Sequence, residues 1–259
     1  MMATAPAASP VLVAVAGGKL PICFEMSETE VTSLHRPLTV FCHAARQSYL
    51  PLVSMQAAAS FQDSAPQVGP EGLWFSTVTG QPLRWDLPIG LLFDEHGQGV
   101  LPWRVQIRFR DFPSAHLLKS GLKETERAYF HSLKQALNLL TGSATSFIDM
   151  RQHDQEALWQ AVEAGRFLDA WRITQTLLSG STLQLAPVRL VSSKTHVVRQ
   201  APIAWQDTTL RQALDVLAGG RAWSRCVVQG VSVPLDALVS HLLLDMAAPD
   251  LFLYVCVDL

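Results

Sequence analysis

Lysine is scarce in this chain, at positions 19, 119, 123, 134 and 194 only, and a deprotonated amine is a nucleophile toward acyl groups. Lys134 lies on the helical row Arg127, His131, Lys134, Asn138, away from the apolar stripe Phe130, Leu133, Leu137, so its amine is expected to be reachable from solvent. On an arbitrary helix this pattern describes a solvated lysine. A free lysine amine, with a pKa of ~10.4, is mostly protonated at neutral pH and needs help to attack. His131, one turn earlier, stands where a general base would, although a surface imidazole is ordinarily only surface.

Other reactive groups are less well placed. Cys23, Cys42, Cys226 and Cys256 are scattered through apolar, strand-like contexts without a C-x-x-C pair or histidines at metal-ligand spacing, which describes small buried thiols in a reducing compartment and no metal site. His153-Asp154 with a remote Ser or Cys imitates a hydrolase triad, but no nucleophile elbow accompanies it. The pieces Gly97-x-Gly99 and Gly219-Gly220 lack the strand-loop-helix setting of a phosphate loop and read as turns; no cofactor is expected. Arg84, Arg104, Arg108 and Arg110 fall where folding would gather a basic sheet face, solvated by default and open to an acidic partner or lipid headgroups otherwise.

These residues sit in a chain of 259 residues, 49% hydrophobic, with a formal charge of −2. That is enough apolar material for substantial cores in one large domain or two to three small ones, and no global charge that would draw nucleic acid. The start, Met1 to Pro10, lacks a basic signal region, and Val11–Ala16 is too short to span a bilayer. The expectation is a soluble, intracellular protein with a mobile segment over residues 1–18.

Alternation and turn signals give the element order. Lys19 to Met26 and Leu38 to Cys42 read as strands, and Leu50 to Phe61 as a helix stopped at Asp63-Ser64-Ala65-Pro66. Leu73 to Val78 is a strand, Thr79-Gly80-Gln81-Pro82 a tight reversal, and Leu83 to Trp85 a return strand. Asp86 is placed to cap a short helix with Pro88 in its first turn, and Trp103 to Phe109 alternates as a last strand. This order predicts a ubiquitin-like β-grasp over residues 19–114.

A helix-rich module follows over 115–184. Leu122 to Leu140 forms a stripe ended by Gly142, a second helix runs near Gln155–Ala164, Gly165 breaks it, and Phe167 to Leu178 marks a third. From 185 to 259 the first order recurs: strands at Pro187–Val191 and around His196–Trp205, and a helix over Thr208–Leu217 behind a cap at Asp207. A strand and turn at Cys226–Val231, a short helix at Leu235–Leu244 and a closing strand at Leu251–Val257 complete it. The fold class is α+β, with two ubiquitin-like β-grasp domains flanking a helix-rich domain.

One run is distinctive as a signature: Leu73-Trp74-Phe75, then Gly80-Gln81-Pro82-Leu83-Arg84-Trp85, then Pro88-Ile89-Gly90-Leu91-Leu92-Phe93-Asp94. It resembles the W-F, G-x-P-L-K/R-W, P-I-G-L-L-F-D pattern of the autophagy protein 5 family. Leu101-Pro102-Trp103 and Phe109-Arg110-Asp111-Phe112-Pro113 continue it. Asp154, Leu158-Trp159, Arg166-Phe167, Trp171, Gln229-Gly230, His241-Leu242 and Pro249-Asp250-Leu251-Phe252-Leu253 extend the likeness over nearly the whole chain from Lys19 onward. Where family members usually carry a Trp before a Gly-x-Ile-Pro, this chain has Val15-Ala16-Gly17-Gly18-Lys19-Leu20-Pro21, and it lacks the Trp often found before the last short helix.

Phe130-His131-Ser132-Leu133-Lys134-Gln135-Ala136 is similar to the family segment with the acceptor lysine. The resemblance therefore implies that Lys134 forms an isopeptide bond with autophagy-related protein 12. It further implies non-covalent binding of autophagy-related protein 16 and an E3-like complex, without an active site of its own, that promotes lipidation of autophagy-related protein 8 by its conjugating enzyme. The implied location is cytoplasmic, at the phagophore assembly site and peripheral on the isolation membrane. Two other readings are an unconjugated double ubiquitin-like adaptor and a hydrolase using Cys or Ser with His153.

Overall fold

The structure is a computed structural model that describes residues 7–65 and 72–259. It divides into two compact units, Lys19–Ala128 and Tyr129–Leu259, the latter joined by the N-terminal segment up to Gly18. Pro66, expected to stop a helix, and residues 1–6 of the expected mobile segment lie outside the described residues.

That segment is not wholly irregular: α1 (Pro10–Gly17) is a helix. Ser9 caps it by accepting from the Leu12 N–H at 3.0 Å and donates to Asp245 at 2.5 Å. Leu12 is buried and Val15 packs against the core of the second unit, while Val11 and Val13 remain about half exposed, so the run is anchored through Leu12 and Val15. Among the described residues, no helix is long and apolar enough to cross a membrane.

The first unit opens with β1 (Lys19–Met26) and β2 (Val40–Ala45), followed by α2 (Leu50–Val53) and α3 (Met55–Phe61). The single helix expected over 50–61 is thus two, because Ser54 (φ −90°, ψ −6°) ends the first and its carbonyl starts the second. β3 (Trp74–Ser76), α4 (Ile89–His96) and β4 (Trp103–Arg108) complete the set. The sheet order is β2-β1-β4-β3, with β1 parallel to β4 and antiparallel to β2, and β3 antiparallel to β4. Ile22, Phe24, Phe61, Leu83, Ile89, Leu92, Val105 and Ile107 are fully buried. Each such side chain contributes roughly 1.5–3 kcal/mol by leaving water.

Two expectations for residues 83–88 are corrected. The return strand is a single bridge, Ser76 to Pro82, with the Leu83 N–H donating to the Phe75 carbonyl at 2.8 Å, since Pro82 supplies no N–H to extend a ladder. Asp86 does not cap α4; its carboxylate pairs with Arg84 at 2.5 Å. The first N–H groups of α4 are instead taken by main-chain carbonyls: Ile89 donates to Ser48 at 2.8 Å and Gly90 to Arg46 at 2.6 Å.

That approach explains the signature run. A Cβ on Gly90 would lie 2.8 Å from the Arg46 Cβ and 3.0 Å from its carbonyl oxygen, so only glycine fits. Four residues on, Asp94 accepts from the Arg46 guanidinium at 2.6 Å with both side chains nearly buried. Phe93 meets Trp103 edge-to-face at 5.9 Å. The indole N–H of Trp74 donates to the Arg110 carbonyl and that of Trp85 to the Leu118 carbonyl, each at 2.7 Å, fixing the segment after β4.

α5 (Leu122–Thr141) runs into the second unit, where α6 (Thr145–Ile148), α7 (Gln152–Glu163) and α8 (Phe167–Leu178) follow. Gly142 and Gly165, at φ +78° and +69°, supply the left-handed residues that end α5 and separate α7 from α8. Then come β5 (Leu185–Ala186), β6 (Val188–Ser192), β7 (Val198–Gln200), β8 (Ile203–Ala204), α9 (Leu210–Ala218), β9 (Ser224–Val227), α10 (Val239–Met246) and β10 (Leu253–Asp258). The sheet order β7-β6-β10-β9, with β6 parallel to β10 and both edge pairings antiparallel, repeats the pairing pattern of the first sheet. Its apolar face packs on Leu210, Leu214 and Leu217 of α9 and Leu243 of α10. Asp207, expected as the α9 cap, sits at φ +55°; Thr209 caps instead, through a reciprocal box with Gln212.

Candidate functional site

α5 forms because its sequence combines good helix formers with an apolar stripe, and Tyr129, Leu133, Ala136, Leu137 and Leu140 are buried along it. The opposite row, Arg127, His131, Lys134 and Asn138, is exposed, as the spacing predicts. The amine of Lys134 stands over the ring of Phe147 on α6, 5.2 Å from its centroid. At an exposed position such a contact contributes about 0.5–1 kcal/mol. Phe147 is itself buried and packs on Phe130 at 5.2 Å, within an aromatic cluster that includes Tyr129 and Trp159.

The flanks of Lys134 are tied to the second sheet. Arg189, on β6, donates to Ser132 Oγ at 3.3 Å and to Gln135 Oε1 at 2.7 Å, and also to Gln200 Oε1 and the Tyr254 hydroxyl. Its guanidinium lies 3.6 Å from the Phe252 ring centroid. Tyr254 donates in turn to the buried Asp250 carboxyl at 2.7 Å, and Tyr129 donates to the Pro249 carbonyl at 3.2 Å. Burial pushes the Asp250 carboxyl above the usual carboxylate range, while Arg189 pulls it back in part. Burial, then the Asp250 charge, raises Tyr254 well above an ordinary phenol, so it stays a hydrogen-bond donor.

The family resemblance pointed to Lys134 and not to its supports. Arg189 stands in the apolar alternation Val188-Arg189-Leu190, where it reads as an outward residue, and Phe147 reads as core. The one available signal was Pro249-Asp250-Leu251-Phe252-Leu253, a charged residue inside an otherwise apolar closing run.

Burial raises the thiols of Cys23 and Cys42 and brings Cys226 to about 11, the wrong direction for a nucleophilic thiolate. His153 and Asp154 are exposed on the first turn of α7. The expected basic face is corrected: Arg104 is held by both Glu25 oxygens at 2.7 and 2.8 Å, Arg108 by Glu30 at 2.6 Å, and Arg84 by Asp86. The Arg104 bonds hold the Glu25 carboxyl below its ordinary range. Acidic residues on β1 and in the turn after it thus pair with Arg104 and Arg108, a pairing invisible until the strands are in register, while Arg110 stays exposed.

Three family models match the chain in order. "Autophagy protein ATG5, UblA domain" covers residues 15–109, "Autophagy protein ATG5, alpha-helical bundle region" residues 122–180, and "Autophagy protein ATG5, UblB domain" residues 185–257. Autophagy protein 5 of Oryza sativa subsp. japonica is 35% identical over 164 residues, taking in 62% of this chain. The match spans only 42% of that relative's length. Autophagy protein 5 of Aspergillus fumigatus is 27% identical over 94% of this chain and 93% of its own. The crystal structure of Kluyveromyces marxianus Atg5 superposes with a TM-score of 0.85 at 21% identity, over 96% of this chain and 99% of that one. At that identity the likeness speaks for the fold alone.

Proposed function

The chain belongs to the autophagy protein 5 family, and from that premise we propose that it is an autophagy scaffold whose Lys134 is joined covalently to autophagy-related protein 12. The observation that supports this reading is the exposed amine of Lys134 on α5, within the stretch matched by the helical-bundle model. In the reaction the neutral amine attacks the thioester carbonyl at the C-terminal glycine of autophagy-related protein 12. A C–N bond forms, the C–S bond to the conjugating enzyme breaks, and the thiol leaves with the amine's proton. Activation belongs to the conjugating enzymes, so Lys134 is a substrate group in this scheme.

The conjugate, bound non-covalently by autophagy-related protein 16, then acts as an E3-like complex. It stimulates transfer of autophagy-related protein 8 from its conjugating enzyme to phosphatidylethanolamine, peripherally on the isolation membrane and from the cytoplasmic side.

The test is expression with the native conjugation partners and inspection of denaturing gels for a heavier covalent form. The form is expected with the wild type and absent from Lys134→Arg. A heavier form that persists unchanged in Lys134→Arg refutes the assignment of the acceptor. If competent partners never yield it, the chain is an unconjugated double ubiquitin-like adaptor.

A further inference from the structure

We propose that Arg189 is a positioning residue for conjugation, holding the turn of α5 that presents Lys134; the inference rests on the reading of Lys134 as acceptor. Arg189 grips the helix on both sides of that residue in sequence, at Ser132 and at Gln135. One guanidinium therefore fixes both the rotation of the turn and its height along β6. The grip is itself rigid. Arg189 stacks on Phe252, spends Nε on Gln200, and shares Nη1 with the Tyr254 hydroxyl that Asp250 accepts from.

Each contact comes from the second sheet, from Phe252 immediately before β10, or from α5, so the device joins the acceptor turn to the β-grasp fold behind it. A lysine at this position retains the charge but cannot reproduce a planar fork that spans two acceptors. The contacts of Arg189 run to Ser132, Gln135, Gln200, Tyr254 and Phe252 and not to the Lys134 amine, so its role in this proposal is the placement of the helix.

Attack on an acyl carbon needs the nitrogen about 3–3.5 Å from that carbon and aligned with it, and a misplacement of about 1 Å costs on the order of 100-fold in rate. The assay is conjugation by purified full-length chain, with the ubiquitin-like donor presented as the thioester of its conjugating enzyme. Arg189→Ala is expected to lower kcat about tenfold while KM for the charged enzyme stays within about twofold. Arg189→Lys should recover part of the loss. The pair Ser132→Ala/Gln135→Ala, on the accessible side of the helix, should reproduce the kcat loss and add nothing to Arg189→Ala, as residues acting through one contact do.

The inference is overturned if Arg189→Ala reacts with wild-type kcat, if its loss lies in KM alone, or if the helix pair is silent. Should Arg189→Ala lower the melting temperature enough to unfold, the helix pair decides by itself. Lys134→Arg, assayed in parallel, separates the two levels. Undiminished conjugation there defeats the acceptor reading, whereas a dead Lys134→Arg beside a fully active Arg189→Ala defeats only the role of Arg189.

Discussion

Replacing Asp94 by alanine removes one half of the pair that locks α4 to the segment before α2. In the folded protein Asp94 and Arg46 meet at 2.6 Å with side chains 7% and 11% exposed, so water screens the pair little. Once Asp94 is gone, the guanidinium keeps a 3.1 Å bond to the Gly90 carbonyl, and its buried Nε has no hydrogen-bond partner among the described residues. Stranding a buried charge in this way costs about 3–5 kcal/mol. With a urea m-value of about 1–3 kcal/mol/M, the unfolding midpoint should fall by at least about 1 M. Urea titration followed by tryptophan fluorescence takes in the first unit through Trp74, Trp85 and Trp103, beside Trp159, Trp171, Trp205 and Trp223 of the second. The double substitution Arg46→Met with Asp94→Leu should recover most of the loss, because an apolar pair carries no desolvation penalty. A cost under about 1 kcal/mol for Asp94→Ala, or no recovery in the double variant, refutes the view that an uncompensated charge is the cause.

Gly90→Ala should cost about 1–3 kcal/mol in the same titration, since the new methyl would stand 2.8 Å from the Arg46 Cβ in a contact that includes backbone; a neutral outcome contradicts the close approach. Asp250 has a folded pKa above its unfolded one, so the native state holds its proton to higher pH and stability falls as pH rises from about 3.9 to that raised value. Asp250→Asn, neutral throughout, should flatten this segment of the stability profile, and an unchanged slope refutes the assignment. Thr209→Ala removes the capping box of α9 and should cost about 1 kcal/mol by urea titration, whereas Asp207→Ala should not cost a cap; the reverse ranking contradicts the observed N-terminus.

What the sequence revealed, and what it hid, follows from how local each signal is. Alternation in Trp103, Val105 and Ile107 reports a buried sheet face directly, and these residues are 4%, 0% and 0% exposed. Helical spacing likewise put Lys134 on an exposed row. Features set by distant partners were not legible. Asp86 and Asp207 have the residue type of a cap, but α4 is capped by carbonyls of Arg46 and Ser48, and the chain turns at Asp207 before α9 begins. The arginine face looked basic because Glu25 and Glu30 lie 79 and 78 residues away from Arg104 and Arg108 in sequence. Arg189 was missed for the same reason, its partners on α5 being 54 and 57 residues earlier. Exposure does not single out Lys134 either, since Lys19, Lys119, Lys123 and Lys194 are also exposed.

That equivalence makes the site of attachment the sharpest question. Proteolysis of the heavier covalent form, followed by mass spectrometry of branched peptides, reads the acceptor among the five lysines of the chain. The proposed function predicts a single branch, the C-terminal glycine of the ubiquitin-like donor on the ε-amine of Lys134. A branch on Lys19, Lys119, Lys123 or Lys194, with Lys134 unmodified, contradicts it.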